Sequence, residues 1–141
     1  MRSDWKHELP ALVCVVLLCF DWIIPGSMHF IFMDATVAQV PSYIPFKEAV
    51  VIVTGVVEIA CGTLVLVPRT RPFAALISLG LVIAYIPAVY HILSSNAGLP
   101  SFPAIRSFFH ALLVPHNVLL ALASIYLLRA AGSPGRHELR S

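Results

Sequence analysis

The chain has 141 residues, 59% of them hydrophobic and 11% charged, whereas an ordinary soluble domain is about 25% charged; this excludes a soluble monomer and makes the lipid bilayer its solvent and first partner. The net charge of +2 comes from basic residues scattered singly among apolar runs, without the stripe that binding nucleic acid requires. Three cysteines, Cys14, Cys19 and Cys61, contain no Cys-x-x-Cys pair and leave one over in any pairing, so they exclude a thiol-disulfide relay and read as small core residues.

The first apolar stretch follows Arg2 and Lys6. A cleaved signal peptide would need small residues after the apolar run Leu9–Phe20, but Asp21-Trp22 stands there and apolar sequence resumes to Met33. The pattern predicts an uncleaved span over about 9–33, kinked at Pro25-Gly26. A second span, about 47–67, carries Glu58 and ends at Pro68 of the connector Pro-Arg-Thr-Arg-Pro. From Pro72 to Ile105 there is no Asp, Glu, Lys or Arg, and from Ser107 to Leu128 the only ionisable groups are His110 and His116. These stretches meet the requirement of about 20 apolar residues and predict spans over about 73–93 and 105–128.

Four spans predict an all-α, integral membrane four-helix bundle of two helical hairpins, a single membrane domain over 1–141 in which 130–141 form a flexible cytoplasmic tail. Arg2, Lys6, Arg69, Arg71, Arg129, Arg136 and Arg140 fall on one side of this arrangement and only Lys47 and Arg106 on the other. By the positive-inside rule both termini are cytoplasmic, in the cell inner (plasma) membrane. Pro25-Gly-Ser-Met-His29 shares its Pro-to-His spacing with Pro87-Ala-Val-Tyr-His91, and Pro41-Ser-Tyr-Ile-Pro45 resembles Pro100-Ser-Phe-Pro103. A parallel internal repeat about an axis along the membrane normal would produce this, with His29 and His91 facing each other; chance explains so short a match equally well.

Ionisable residues inside a span are expensive and mark candidate sites. Asp21, Glu58 and His116 lie 10 to 12 residues into their spans, about 15 to 18 Å deep at 1.5 Å per residue, and so near the midplane of a core about 30 Å thick. His29, His91 and His110 form a second layer nearer the outer surface, with Tyr43 and Arg106 at its rim. Asp21, Pro25 and His29 share one helical stripe, and Gly55, Glu58 and Gly62 another; both are expected to face the bundle, the glycines admitting a close neighbour. His110 and Asn117 share a face, from which His116 points about 100° away unless Pro115 changes the local twist. The bland alternatives are a packing role for Glu58, satisfaction by Asp21 of backbone groups freed at Pro25, and interfacial hydration for His29 and His91. No His-Glu-x-x-His or comparable spacing fixes a metal, so no metal ligand is assigned, and haem or a transition metal is the weaker expectation.

Gly26-Ser-Met-His-Phe30, the Val40–Pro45 loop, Gly55-Val-Val-Glu58, Gly62-Thr-Leu-Val-Leu66, Pro68-Arg-Thr-Arg71 with Ala74, and Ile86-Pro87 together resemble the DoxX-like family of small four-helix bacterial membrane proteins. The resemblance covers roughly residues 20–95 and carries the family's His-Phe and Gly-x-x-Glu positions onto His29, Phe30, Gly55 and Glu58. Where many relatives read Pro-Ala-Asn in the third span, this chain reads Pro87-Ala-Val. The resemblance implies a redox-associated protein, since relatives are linked to quinone-dependent oxidation. The expected function is binding of a small apolar ligand such as a quinone, in an intramembrane pocket built from His29, Glu58, Asp21, His91, His110, His116 and Asn117. The alternative is a non-catalytic scaffold or accessory subunit of a membrane oxidoreductase complex, and a homo-oligomer is compatible with either.

Overall fold

The computed structural model of the protein describes residues 5–132, in which all regular structure is helical: α1 (Trp5–Ile31), α2 (Met33–Gln39), α3 (Lys47–Leu64), α4 (Arg71–Ala84), α5 (Ile86–Ser95) and α6 (Pro103–Gly132). Three segments are long and apolar enough to cross a membrane: Glu8–Ile31, Arg71–Ser95 and Pro103–Gly132. Helix α3 is shorter, at 18 residues, and carries Lys47, Glu48 and Glu58. Residues 130–132, expected to begin a flexible tail, complete α6, and the remainder of that tail lies outside the described residues, as does Arg2.

Helix α1 packs along α3 and α4 along α6, and the two pairs touch through α1 with α6 and α3 with α4. Each of these four helices buries one stripe. Val15, Leu18, Cys19 and Trp22 face inward from α1, Val51, Gly55, Glu58 and Cys61 from α3, Ala74, Ala75, Ser78 and Leu81 from α4, and Leu120, Ala123, Ser124 and Leu127 from α6. The opposite faces expose Val16, Phe20, Val56, Ile83 and Leu122. In water such faces would aggregate; in hydrocarbon they are the solvated surface.

Small residues set how closely α1 and α3 approach. A Cβ on Gly26 would sit 2.9 Å from the Gly55 carbonyl oxygen and 2.9 Å from the Glu58 Cβ, and one on Gly62 would sit 2.9 Å from the Cys19 carbonyl oxygen. Backbones this close leave no room for a methyl group, which is the small-residue seam that membrane helices use in place of a hydrophobic driving force.

Three breaks depart from uninterrupted spans. Helix α1 continues through Pro25 to Ile31 and ends at Phe32 (φ −117°), after which α2 begins at Met33. The third span divides at Tyr85: Pro87 has no N–H for the Ile83 carbonyl, so α4 ends and α5 starts within one residue, with Tyr85 N–H still bonded to Leu81 and Val89 N–H to Tyr85. Helix α3 ends at Leu64, before the expected Val67, because the connector caps it. Thr70 Oγ1 donates to the Leu64 carbonyl at 2.7 Å and Arg71 Nε to the Val65 carbonyl at 3.1 Å. A cation on the terminal carbonyls also complements the helix dipole.

At the other end of the molecule α2 contacts both α3 and α5. Gly98 (φ +69°) lies so close beneath the Ala35 carbonyl that a Cβ could not fit, and Asn96 (φ +57°) caps α5 through a bond from its N–H to Ile92.

Candidate functional site

Glu58 is 1% exposed and sits where α3 meets α1 and the α4–α5 junction. Tyr85, at the break that Pro87 creates, donates its hydroxyl to Glu58 Oε1. The second oxygen, Oε2, has no hydrogen-bond partner and lies 3.8 Å from His29 Nε2. His29 is oriented from its far side. Its Nδ1 lies 3.2 Å from the Val51 carbonyl and 3.4 Å from Thr54 Oγ1. A carbonyl only accepts, so Nδ1 carries the proton and Nε2 of the neutral ring presents its lone pair toward the carboxyl group. Thr54 in turn donates to the Val50 and Val51 carbonyls at 2.9 and 3.1 Å.

The result is two polar atoms from different helices, each with an open valence, facing each other across a gap too long for a direct hydrogen bond. One hydroxyl placed beside that line, at about 2.8 Å from each, has a hydrogen to donate to either acceptor, which a carbonyl oxygen lacks. The His29 side chain is 14% exposed and Glu58 2%, so the imidazole is the accessible edge of the pair.

A second polar pair joins different helices. His116 Nε2 lies 2.8 Å from Asp21 Oδ1, linking α6 to α1, and both side chains are partly exposed, at 40% and 29%. Between the two pairs runs a buried chain: Trp22 Nε1 donates to Ser78 Oγ at 2.8 Å, and Ser124 Oγ also lies 2.8 Å from Ser78 Oγ. The Trp22 and Tyr85 rings stand 6.4 Å apart, so this chain abuts the Glu58 cluster.

The seven residues expected to form one pocket therefore divide. Glu58 and His29 meet, and Asp21 and His116 meet elsewhere. Asp21 and His29 do not face the same neighbour despite their shared stripe, because a separation of eight residues turns a helix about 80° past two full turns. His116, whose direction the spacing leaves open because Pro115 precedes it, pairs with Asp21. Asn117 donates Nδ2 to the Leu113 carbonyl of its own helix at 2.7 Å. His110 Nε2 is buried without a hydrogen bond, as is Arg106 Nε one turn earlier. His91 is half-buried, and its carbonyl accepts from Ser94 and Ser95. The hydrogen-bond partners of the His29 ring come from α3 and none is His91. Among the described residues no three His, Cys, Asp or Glu side chains gather as a metal cluster.

Tyr85, Thr54, Trp22, Ser78 and Ser124 are not marked as site residues by the sequence pattern, since none is ionised. One signal was present: Ser78 and Tyr85 are seven apart on a stripe with Ala74 and Leu81, so they share the inward face of the third span.

Residues 18–128 match the family model described as a domain of unknown function, DUF8561. The chain belongs to the DUF8561 family. The matched segment of this DUF8561 protein contains Asp21, His29, Glu58, Tyr85 and His116, and so both polar pairs. No curated protein and no solved structure matches the chain.

Proposed function

We propose that this DUF8561 protein is a DoxX-like, four-span bundle of two hairpins that binds a small apolar ligand such as a quinone beside a membrane redox enzyme. Helix α3 serves as the fourth span: its charges at Lys47 and Glu48 lie in its first turn, and Glu58 is shielded by α1 and the α4–α5 junction. The basic connector at Arg69 and Arg71 and the terminal Arg129 support cytoplasmic termini in an inner (plasma) membrane.

The observation that carries the reading is the open valence of Glu58 Oε2 opposite His29 Nε2. An unsatisfied buried oxygen costs about 1 to 3 kcal/mol, which a ligand oxygen with a hydrogen to share would recover. An acid and an imidazole at one ligand oxygen also suit chemistry in which protons are taken up or released in a water-poor site. Tyr85 holds the carboxyl group in place, and Val51 with Thr54 holds the ring. Extraction into native-lipid particles, followed by mass spectrometry and absorbance spectroscopy, tests the proposal. A co-purifying quinone or similar amphiphile is expected; a preparation free of any organic ligand, or one holding haem or stoichiometric metal, would count against it.

The Trp22–Ser78–Ser124 chain favours a second reading, a non-catalytic scaffold or accessory subunit of an oxidoreductase complex whose polar residues fix helix pairing. In that case Glu58→Gln is silent in ligand binding.

A further inference from the structure

The Asp21–His116 pair is left incomplete by a single chain. Asp21 lies about 20 Å from the start and about 15 Å from the end of the apolar segment Glu8–Ile31 at 1.5 Å per residue. Within Pro103–Gly132, His116 lies at a similar mid-depth. Both side chains are partly exposed at this depth, where neither water nor lipid tails supply hydrogen bonds.

The pair's chemistry specifies what is missing. A bilayer favours its electrically neutral form, with one proton between Oδ1 and Nε2 and another on Nδ1. Whichever atom holds the shared proton, Nδ1–H remains as a donor and Oδ2 as an acceptor, and neither has a hydrogen-bond partner within the described chain. Such a pair is its own complement. Rotation about an axis along the membrane normal keeps depth unchanged, so two copies related by that axis bring two such pairs to the same level, donor to acceptor twice over.

The surface beside Asp21 fits the same operation. Leu12, Val13, Val16, Leu17, Phe20 and Asp21 line a shallow apolar depression of about 400 Å³ along α1. Leu9, Val13, Val16 and Phe20, at spacings of four, three and four, are all exposed, which is the repeat of a left-handed helix seam. We propose that the protein forms a two-fold homodimer through the outer face of α1, in which the Asp21–His116 pairs of the two copies complete each other. The proposal uses only the spanning character of α1 and α6 and stands independently of any ligand at Glu58.

The test is subunit counting by single-molecule photobleaching of full-length protein in vesicles at a series of protein-to-lipid ratios. Wild type is expected to bleach in two steps. The double variant Asp21→Leu, His116→Leu removes both polar groups together and so leaves no orphan behind; it is expected to remain folded and to dimerise at least tenfold more weakly. In a background with Cys14, Cys19 and Cys61 replaced by alanine, Phe20→Cys is expected to cross-link between chains on oxidation, and Ile83→Cys, exposed on α4, is not. The cross-linking comparison decides the matter should the double variant fail to insert. One-step bleaching of wild type, unchanged dimerisation of the double variant, or equal cross-linking at both cysteines would each overturn the proposal.

Discussion

Removing the Tyr85 hydroxyl isolates one hydrogen bond at a fully buried acceptor. Tyr85→Phe keeps the ring beside Trp22 and leaves Glu58 Oε1 without its donor, so the protein should lose about 1 to 3 kcal/mol of stability, read as a lower Tm in detergent. Ser78→Ala withdraws the shared partner of Trp22 and Ser124; a similar loss is expected, together with a changed Trp22 fluorescence maximum. At this scale the sequence was readable where charge marked cost: Asp21, Glu58, His29 and His116 all stood out because an ionisable group in hydrocarbon demands a partner. The partners were harder to see. Tyr85, Thr54 and Ser78 cost little to place in a membrane helix, and only the packing of one helix on another shows that they face Glu58, His29 and Trp22.

Glycine substitutions test the helix seams. Gly62→Leu would drive a side chain into Ile23 and the Cys19 carbonyl, forcing α1 from α3, whereas a Cβ on Gly80 meets nothing within 4 Å. The first variant should therefore be recovered as a poorly folded, protease-sensitive protein and Gly80→Leu as a well-folded one in limited proteolysis; equal resistance would count against the seam. Helix existence was legible from runs of apolar residues, and Pro68 and Pro72 marked the turn between α3 and α4. The breaks at Phe32 and Tyr85 were not. Pro10, Pro25 and Pro115 are carried inside helices while Pro87 ends one, so a proline alone does not say whether neighbouring groups will satisfy the carbonyl it frees. The shared stripe of Asp21 and His29 failed as a guide for a related reason: a drift of about 80° over eight residues is enough to change neighbours where each helix touches more than one other.

For the molecule as a whole, the proposed four-span arrangement predicts that the Pro41–Pro45 loop is outside and the Pro68–Pro72 connector inside. Ser42→Cys should be labelled by a membrane-impermeant thiol reagent added outside and Thr70→Cys should not; the reverse pattern would invert the orientation. On that proposal the Glu58–His29 gap is an intramembrane site, with Trp22 and Tyr85 packed ring to ring beside it. The central claim, that this gap holds a ligand oxygen with a hydrogen to share, is tested most directly by titrating a short-tailed benzoquinol, kept reduced, into the purified Trp5→Phe protein while following Trp22 fluorescence, with and without Glu58→Gln. The amide can still accept from Tyr85 and preserves the side chain's shape, but the NH2 that takes the place of Oε2 cannot accept the ligand's hydrogen. Saturable quenching that weakens at least tenfold in Glu58→Gln, about 1.4 kcal/mol of lost binding, is the predicted result; equal affinity in the two proteins, or no saturable quenching in either, would contradict it.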